Sequence, residues 1–303
     1  MIGAERSYVW LSELLEDPTI LEPPRAVVPR LVFENRVTLL AAREKTGKST
    51  LAGAAAAAVS SGRAFLGAEV ISGTVLVVSL EEHTQEFAQR LVRFGADATR
   101  IAIVSGTQDL TKMIWDAAES IHPALIIFDT LGAYVDKVSG GKPVESGEAQ
   151  AWLRVLMDIV ELSRTHGAVL LLHHSRKSDG HYRDSSAIGG AVDIILEMFG
   201  TGSEPRTIKN MSRLTIPETR FMLEGDVLRL IETEAEVQER VLSFVKKNPR
   251  CSLRDLRDGV GGKAEEVGRV RDKLLKQGLI ANVGTLTNHA YMAVKNGPVP
   301  GST

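Results

Sequence analysis

The segment from Val37 to Thr50 constrains the fold more than any other part of the chain. Six apolar or small residues are followed by the polar loop Arg43–Thr46, by Gly-Lys-Ser, and by an alanine-rich run. This order of strand, loop and helix is typical of a phosphate-binding loop. Backbone N–H groups of such a loop, and of the helix that follows it, face an anion.

The loop carries the ligands that a magnesium-bound nucleotide needs. We expect the Lys48 ammonium to contact the β- and γ-phosphates and the Ser49 hydroxyl to ligate Mg²⁺. The usual pattern is Gly-x-x-x-x-Gly-Lys-Ser/Thr, and here Ala42 occupies the first glycine position. Gly47 is kept where the backbone must approach phosphate, so the match is weaker but intact. The alternative interpretation is a lysine-rich surface turn before a buried helix.

Bulk properties fit one large α/β domain with a small appendix. The chain has 303 residues, of which 44% are hydrophobic and 24% charged, as is ordinary for a globular protein. The formal net charge is −2, yet the part from Glu234 onward has 12 Lys and Arg against 8 Asp and Glu, or +4. The remainder therefore carries −6. A mildly basic tail on an acidic body is typical of a DNA-facing appendix.

Other features set the expected compartment and the domain borders. The single cysteine, Cys251, excludes an intrachain disulfide, which suits a reducing cytosol. No signal-peptide core is present, and the apolar run Leu51–Val59 is too short to span a bilayer, so we expect a cytoplasmic protein with no membrane partner. The predicted domains are an N-terminal helix and linker (1–23), an α/β domain (24–233), a C-terminal domain (234–295) and a disordered tail (296–303).

Strand and helix patterns alternate through the α/β domain. A short amphipathic helix is predicted at Ser7–Glu16, followed by an extended linker punctuated by prolines. Continuous apolar runs predict strands that are buried on both faces. The expected strands are Val37–Ala42, Gly73–Glu82, Ile101–Val104, Ala124–Thr130, Ala168–Lys177 and Val192–Phe199, and the expected helices are Ser49–Ser60, His83–Phe94, Asp109–Ile121 and Glu148–Thr165.

The fold class follows from this alternation. Strands that alternate with helices predict a mostly parallel sheet with right-handed crossovers. The runs Arg206–Met211, Arg220–Leu223 and Val227–Ile231 predict an antiparallel meander at one edge. Leu131–Gly147 is predicted to be a flexible loop beside the site that moves or contacts DNA.

Polar side chains follow four of the strands where each strand ends. They are Lys48, Glu81, Asp129 and His173, and ligands of parallel sheets bind at this edge. A carboxylate after four apolar residues can hold Mg²⁺ or its bound water. We therefore predict ATP and Mg²⁺ as ligands, with Ser49 and Asp129 holding the metal. The predicted nucleotide-binding residues are Arg43, Glu44, Lys45, Thr46, Gly47, Lys48, Ser49, Thr50 and Asp129.

The C-terminal domain has a different sequence pattern. Amphipathic helices are predicted at Glu236–Lys247, after Ser252 and at Lys263–Gln277, and a β-hairpin follows them. Three helices with a hairpin predict a winged helix-turn-helix. Cations on or beside the last helix are expected to contact the DNA backbone, with protein docking as the alternative. They are Lys263, Arg269, Arg271, Lys273 and Lys276.

Together these motifs resemble one group of proteins. The chain is similar to RecA-superfamily ATPases of the RepA-like type, the hexameric replicative helicases of plasmids and phages. The resemblance covers roughly Pro24 to Ile231. It implies a RecA-like P-loop NTPase core, a homo-oligomer with a hexamer favoured, and single-stranded DNA bound through the ring or filament. It rests on Ala42–Thr50, Ser79–Glu82, Ile126–Thr130, Leu172–Lys177 and Arg183–Ala187.

The resemblance also implies roles for single residues. Glu81 matches the glutamate that activates water for attack on the γ-phosphate, with Glu82 as the second choice. The alternative is a surface acid that caps the next helix. His173 and His174 match the γ-phosphate sensor, whereas the alternative is one buried and one exposed histidine. Adjacent strand residues point to opposite faces, so the pair is a poor metal chelator.

One position departs from the helicase pattern. Asp193 stands where the helicases place an arginine finger, and Asp184 replaces a glycine shortly before it. Lys209 or Arg213 is expected to supply the cation instead, since this segment is similar to the Lys-Asn-Lys stretch that reaches a neighbour's ATP in RecA-type filaments. A cation from a neighbour makes hydrolysis depend on assembly. The alternative is an edge strand protected by charge.

Three functions remain open from the sequence. The first is an oligomeric, DNA-stimulated ATPase that acts as a replicative helicase. The second is a RecA-like recombinase or loader filament that uses ATP as an assembly switch. The third is a regulator that binds duplex DNA through the winged helix and oligomerises through its ATPase domain.

Overall fold

The computed structural model describes residues 8–106, 109–142, 144, 149–175, 186–224, 227–261, 264–285 and 289–294. The chain divides into two compact units, Met1–Leu230 and Ile231–Thr303. Each unit has a hydrophobic core of its own.

The first unit is built on a large, mostly parallel sheet. Its strands are β1 (Ala26–Val28), β2 (Val32–Phe33), β3 (Val37–Ala42), β4 (Val75–Ser79), β5 (Ile101–Val104), β6 (Leu125–Asp129), β7 (Ala168–His174), β8 (Ile194–Phe199), β9 (Arg206–Asn210), β10 (Thr219–Glu224) and β11 (Val227–Ile231). Among the described residues, nine of these strands form one sheet in the order β11-β10-β9-β8-β3-β7-β6-β4-β5. The strands from β8 to β5 are parallel, while β9 and β10 are antiparallel additions. The predicted parallel sheet is therefore confirmed.

Helices cover both faces of this sheet. The helices of the first unit are α1 (Leu11–Leu14), α2 (Lys48–Ser61), α3 (Thr84–Arg93), α4 (Leu110–Ile121), α5 (Leu131–Val138), α6 (Ala149–His166) and α7 (Ser186–Ala191), with 3₁₀ turns at Pro18–Leu21 and Ala98–Arg100. Helix α1 has no buried residue and is not part of this cover. Every residue of β3, β4 and β6 is buried, because alternate side chains of one strand enter two different cores. Leu40 packs in the core on the α2 side, and Leu39 packs in the core on the α6 side.

Small residues let α2 pack closely on the sheet. Its run of alanines is buried, and the helix begins after Gly47 and ends at Gly62, which has a left-handed φ of 68°. A Cβ atom at Gly53 would meet the Arg90 side chain of α3 at 3.2 Å. The glycine therefore gives the stem of Arg90 room to cross α2.

Local structure differs from the prediction in three places. Leu131–Gly147 does not begin as a loop, because the Thr130 hydroxyl accepts a hydrogen bond from the Ala133 N–H and starts helix α5. The proline-punctuated linker contains the β1–β2 hairpin, whose Val27 and Val28 are buried. Helix α7 was not predicted at all. Residues 176–185 lie outside the described residues, as do the side chains of Ser186 and Ala187, so most of the motif Arg183–Ala187 is not described.

The second unit has its own small core. It comprises α8 (Glu234–Lys247), α9 (Leu253–Val260), α10 (Ala264–Lys276) and the antiparallel strands β12 (Ile280–Asn282) and β13 (Tyr291–Ala293). Capping boxes start α8 at Thr233 and α9 at Ser252. The order of three helices and a hairpin is the predicted one, and the winged-helix assignment stays a prediction. Lys263 and the predicted tail lie outside the described residues.

No helix in the described parts of either unit combines the length and the apolar character needed to cross a membrane.

Candidate functional site

The Gly-Lys-Ser loop forms a tight turn at the carboxyl end of β3. The Thr46 hydroxyl donates to the Arg43 carbonyl at 2.7 Å and closes the turn. Lys45 has a left-handed φ of 59°, and Gly47 has a φ of 100°. A Cβ atom at Gly47 would meet nothing within 4 Å, so the space beside its backbone is open. This shape is the concave backbone cradle that an anion fits.

Lys48 reaches back over this turn. Its ammonium donates to the carbonyls of Ala42 at 3.1 Å and Arg43 at 3.2 Å, and it lies 3.3 Å from Nδ1 of His174. Burial lowers the pKa of Lys48, while the carboxylates of Glu81, Asp129 and Glu44 act in the opposite direction. The lysine is therefore a buried charge held by backbone oxygens at the point where phosphates are expected.

Asp129 lies beneath the loop at the end of β6. The residue is 2% exposed, and burial raises its pKa to about 6, helped by the nearby charges of Glu82 and Glu81. A hydrogen bond with Ser49 acts to lower the pKa. Within the described residues, Asp129 Oδ2 has no hydrogen-bond partner. A buried carboxylate oxygen without a partner, beside a serine hydroxyl, is a chemically suitable ligand pair for Mg²⁺.

Ser49 and Asp129 would thus hold Mg²⁺ together with phosphate oxygens of the nucleotide. When bound, the ion would neutralise charge that develops on the phosphates. No cluster of three or more His, Cys, Asp or Glu side chains suited to a metal occurs among the described residues.

The two adjacent histidines of β7 point to opposite faces of the sheet. His174 faces the loop, and its Nε2 lies 2.9 Å from Oε1 and 3.2 Å from Oε2 of Glu81. His173 is 6% exposed and packs edge-on against Trp152 of α6, with ring centroids 6.0 Å apart. Of the two predicted sensors, only His174 is brought to the site. The period of two along a strand accounts for the difference.

The two glutamates after β4 also have different surroundings. Glu82 forms a two-point ion pair with Arg90 of α3, in which Nη2 lies 2.8 Å from Oε2. Glu81 instead contacts His174 and lines the cleft. This geometry favours Glu81 over Glu82 as a proton acceptor. Arg90 itself was missed in the sequence, because nothing in a surface-helix pattern shows that it folds back over a glycine.

A second arginine was missed for the same kind of reason. Arg206, at the start of β9, is 7% exposed, and its Nε donates to the Thr46 carbonyl at 2.7 Å. The two residues are 160 positions apart, so no local pattern could indicate the contact.

The expected trans-acting cations lie away from the loop of their own chain. Lys209 is in the middle of β9, 4.0 Å from Glu218, and Arg213 is exposed in the following loop. Neither is among the residues that line the cleft in the described structure. Asp193 lies at the amino end of the sheet, where its carboxylate accepts a hydrogen bond from the Val37 N–H at 2.9 Å. Where the helicases have an arginine finger, this chain therefore has a carboxylate that accepts a hydrogen bond from the first residue of β3.

The cleft above the loop has a volume of about 450 Å³. Charged and hydroxyl side chains line it, together with the backbone of Gly47. Arg43 and Thr46 contribute to the turn below the cleft rather than to its wall. The lining residues are Glu44, Lys45, Gly47, Lys48, Ser49, Thr50, Glu81, Arg90, Thr130 and His174.

A parallel sheet, a Gly-Lys-Ser loop and a carboxylate at the end of the strand two positions away define a P-loop ATPase domain. The chain belongs to the AAA domain family AAA_25, whose profile matches residues 6–180. No curated protein gives a significant match to the chain.

Proposed function

We propose that this protein is an oligomeric, DNA-stimulated ATPase that acts as a RepA-like replicative helicase in the cytoplasm. The observation that carries the proposal is the series of contacts from Lys48 through His174 to Glu81. These contacts bring together Lys48, His174 and Glu81, to which we assign the roles of phosphate-binding cation, γ-phosphate sensor and proton acceptor. Groups that read the γ-phosphate and activate water need this proximity.

Each residue then has a chemical task. Lys48 and the backbone of the loop hold the phosphates, and Ser49 with Asp129 holds Mg²⁺. Glu81 accepts a proton from the attacking water, and His174 orients Glu81 and senses the γ-phosphate. Lys209 or Arg213 completes the site of a neighbouring subunit, because neither reaches the cleft of its own chain in the described residues. ATP therefore binds between subunits of a homo-oligomer, with a hexamer favoured.

The C-terminal unit is proposed to bind DNA as a winged helix. A groove of about 590 Å³ runs along α10, and its cationic lining residues are Arg257, Arg269, Arg271, Lys273 and Lys276. Intramolecular ion pairs already engage several of them: Lys273 lies 2.7 Å from Glu234, and Arg271 lies 2.6 Å from Asp272. This pairing reduces the charge available to phosphates, which favours a supporting role in DNA binding over a dedicated regulator.

The test is ATP hydrolysis without DNA, with single-stranded DNA and with duplex DNA, run beside particle imaging. A helicase gives stimulation by single strands, closed rings and displacement of a paired strand. Open filaments with strand exchange support the recombinase or loader instead. Sequence-selective duplex binding that does not affect hydrolysis supports the regulator. Absence of ATP binding in the wild-type protein would contradict all three.

A further inference from the structure

The geometry points to Arg206 as a positioning residue that fixes the direction of a phosphate-binding N–H group in the loop. This inference rests on the proposed function, because it assigns a role within the same nucleotide site. Arg206 lies on β9, outside the loop, the magnesium ligands and the glutamate–histidine pair. Its guanidinium is nevertheless buried beneath the loop.

The first step of the argument is the hydrogen bond itself. Arg206 Nε donates to the Thr46 carbonyl at 2.7 Å, and Thr46 is buried. The other two guanidinium nitrogens donate to the carbonyls of Gly202, at 3.0 Å, and Glu204 in the β8–β9 turn. One planar group therefore joins three backbone carbonyls, one from the loop and two from the turn. Lysine lacks the forked geometry for this arrangement.

The second step is the geometry of the Thr46–Gly47 peptide. In a planar trans peptide the carbonyl oxygen and the N–H point in opposite directions. A Thr46 carbonyl held toward Arg206 therefore turns the Gly47 N–H away from Arg206. Gly47 lines the cleft and Arg206 is not among its described lining residues, so we infer that an N–H turned away from Arg206 faces the cleft.

The third step is the freedom of this peptide in the absence of the arginine. Gly47 has a φ of 100°, and space around it is open, so glycine leaves the peptide free to rotate. An inverted peptide would present a carbonyl oxygen to the phosphates and repel them. A charged hydrogen bond to the carbonyl stabilises the productive orientation before nucleotide binds.

The position of β9 explains how a distant residue reaches the loop. Strand β9 is antiparallel to β8, and Thr207 pairs with Phe199, the last residue of β8. The first residues of β9 consequently lie at the carboxyl edge of the sheet, which is the edge that carries the loop. The turn before β9 brings Arg206 under Thr46.

The experiment measures the Kd of ADP and of inorganic pyrophosphate by titration calorimetry, using the full chain. Arg206→Met is expected to weaken both ligands by about 10-fold to 100-fold, as loss of a charged hydrogen bond predicts. The matched control is Arg220→Met, which removes an exposed arginine from neighbouring strand β10 and is expected to leave both values unchanged. Unchanged affinity for ADP and pyrophosphate in a folded Arg206→Met would overturn the inference.

Arg206→Lys decides the question if Arg206→Met does not fold. Weaker ADP and pyrophosphate binding with an intact melting transition supports the positioning role, whereas wild-type affinity overturns it. A loss confined to ADP, with pyrophosphate unaffected, also overturns it because the effect would then lie at the base or sugar. If the wild-type protein itself binds neither ligand, the proposed function fails and not this assignment alone.

Discussion

The Nε2 atom of His174 lies 2.9 Å from the Oε1 atom of Glu81. The other ring nitrogen lies 3.3 Å from the Lys48 ammonium, which can only donate. We therefore assign a neutral ring in which Nδ1 accepts from Lys48 and Nε2–H donates to Glu81. In this tautomer the histidine fixes the orientation of the carboxylate and connects it to the phosphate-binding lysine.

Exchange of His174 is expected to affect catalysis more than binding. His174→Ala should lower kcat for ATP by about 10-fold to 100-fold, in the range expected for a group that orients a general base. The ADP Kd should change little. His173→Ala is the matched control, since it removes packing against Trp152 and should lower the melting temperature instead. Single-turnover hydrolysis and thermal unfolding measure the two effects. Slower hydrolysis in a folded His173→Ala, together with normal hydrolysis in His174→Ala, would contradict the prediction.

Substitution of Glu81 should affect catalysis, whereas substitution of Glu82 should affect stability. Glu81→Gln is expected to lower kcat by about 10²-fold to 10⁴-fold, because it removes the proton acceptor but keeps the shape. Glu82→Gln weakens the ion pair with Arg90 and should mainly reduce stability. Steady-state hydrolysis at saturating ATP compares them. Full activity in Glu81→Gln together with an inactive, folded Glu82→Gln would reverse the assignment.

Removal of the loop lysine should stop hydrolysis. Lys48→Ala deletes the charge that the loop offers to the β- and γ-phosphates, so ATP turnover should fall to background. Lys112→Ala is the control, because this exposed lysine of α4 pairs with Asp116 and is not among the described residues that line the cleft. Retention of full turnover in Lys48→Ala would exclude the loop as the site of hydrolysis.

The raised pKa of Asp129 predicts a dependence of stability on pH. The folded carboxyl has a pKa of about 6 against 3.8 as its ordinary value, so between these values the folded state binds more protons than the unfolded state. Stability from this group is thus present at low pH and is lost as pH rises through about 6, by roughly 3 kcal/mol at about 1.4 kcal/mol per unit.

Asp129→Asn removes this dependence because the amide does not ionise. In the absence of nucleotide and Mg²⁺, the unfolding free energy of the variant minus that of the wild type should therefore increase from about pH 4 to about pH 6 and level off above it. Denaturant titrations at each pH measure the difference. A constant difference over this interval would show that Asp129 is not held in its neutral form by burial.

A site shared between subunits can be tested by mixing inactive variants. Lys48→Ala cannot hold phosphates, and Arg213→Ala or Lys209→Ala cannot supply the cation. Mixed oligomers of the two types contain interfaces with an intact loop and an intact cation, so activity should return on mixing. Specific activity of the wild type should also rise with protein concentration below the assembly threshold. Mixtures that stay inactive would contradict a cation acting from the neighbour.

Local patterns predicted the parts of the fold that depend on neighbouring residues. Strand β5 and the α2 helix were predicted within one residue, because continuous apolar runs and flanking glycines are signals within a few positions. The eight-residue helix α5 stands where a loop is predicted, because Ser139, Gly140 and Gly141, which indicate a loop, follow its last residue, and Thr130 caps its first turn.

The site was predictable at the level of motifs and not of contacts. Lys48, Ser49 and Asp129 follow from short patterns. The separation of His173 from His174 required knowing which core each face of β7 joins. Arg90 and Arg206 were absent from the prediction because their partners are set by the packing of α3 on α2 and by the antiparallel return of β9.

Strand β9 begins at the arginine that holds the loop, and it ends three residues before Arg213. Its pairing with β8 carries it from the edge of the sheet that binds phosphates toward the opposite edge. One continuous hydrogen-bonded strand therefore connects Arg206 with the segment that carries Lys209 and Arg213. In an assembly, β9 would then link the loop that binds a subunit's own nucleotide to the cation that reaches the next subunit's nucleotide. Substitutions along β9 should therefore change both the affinity for nucleotide and the activity of the neighbouring site.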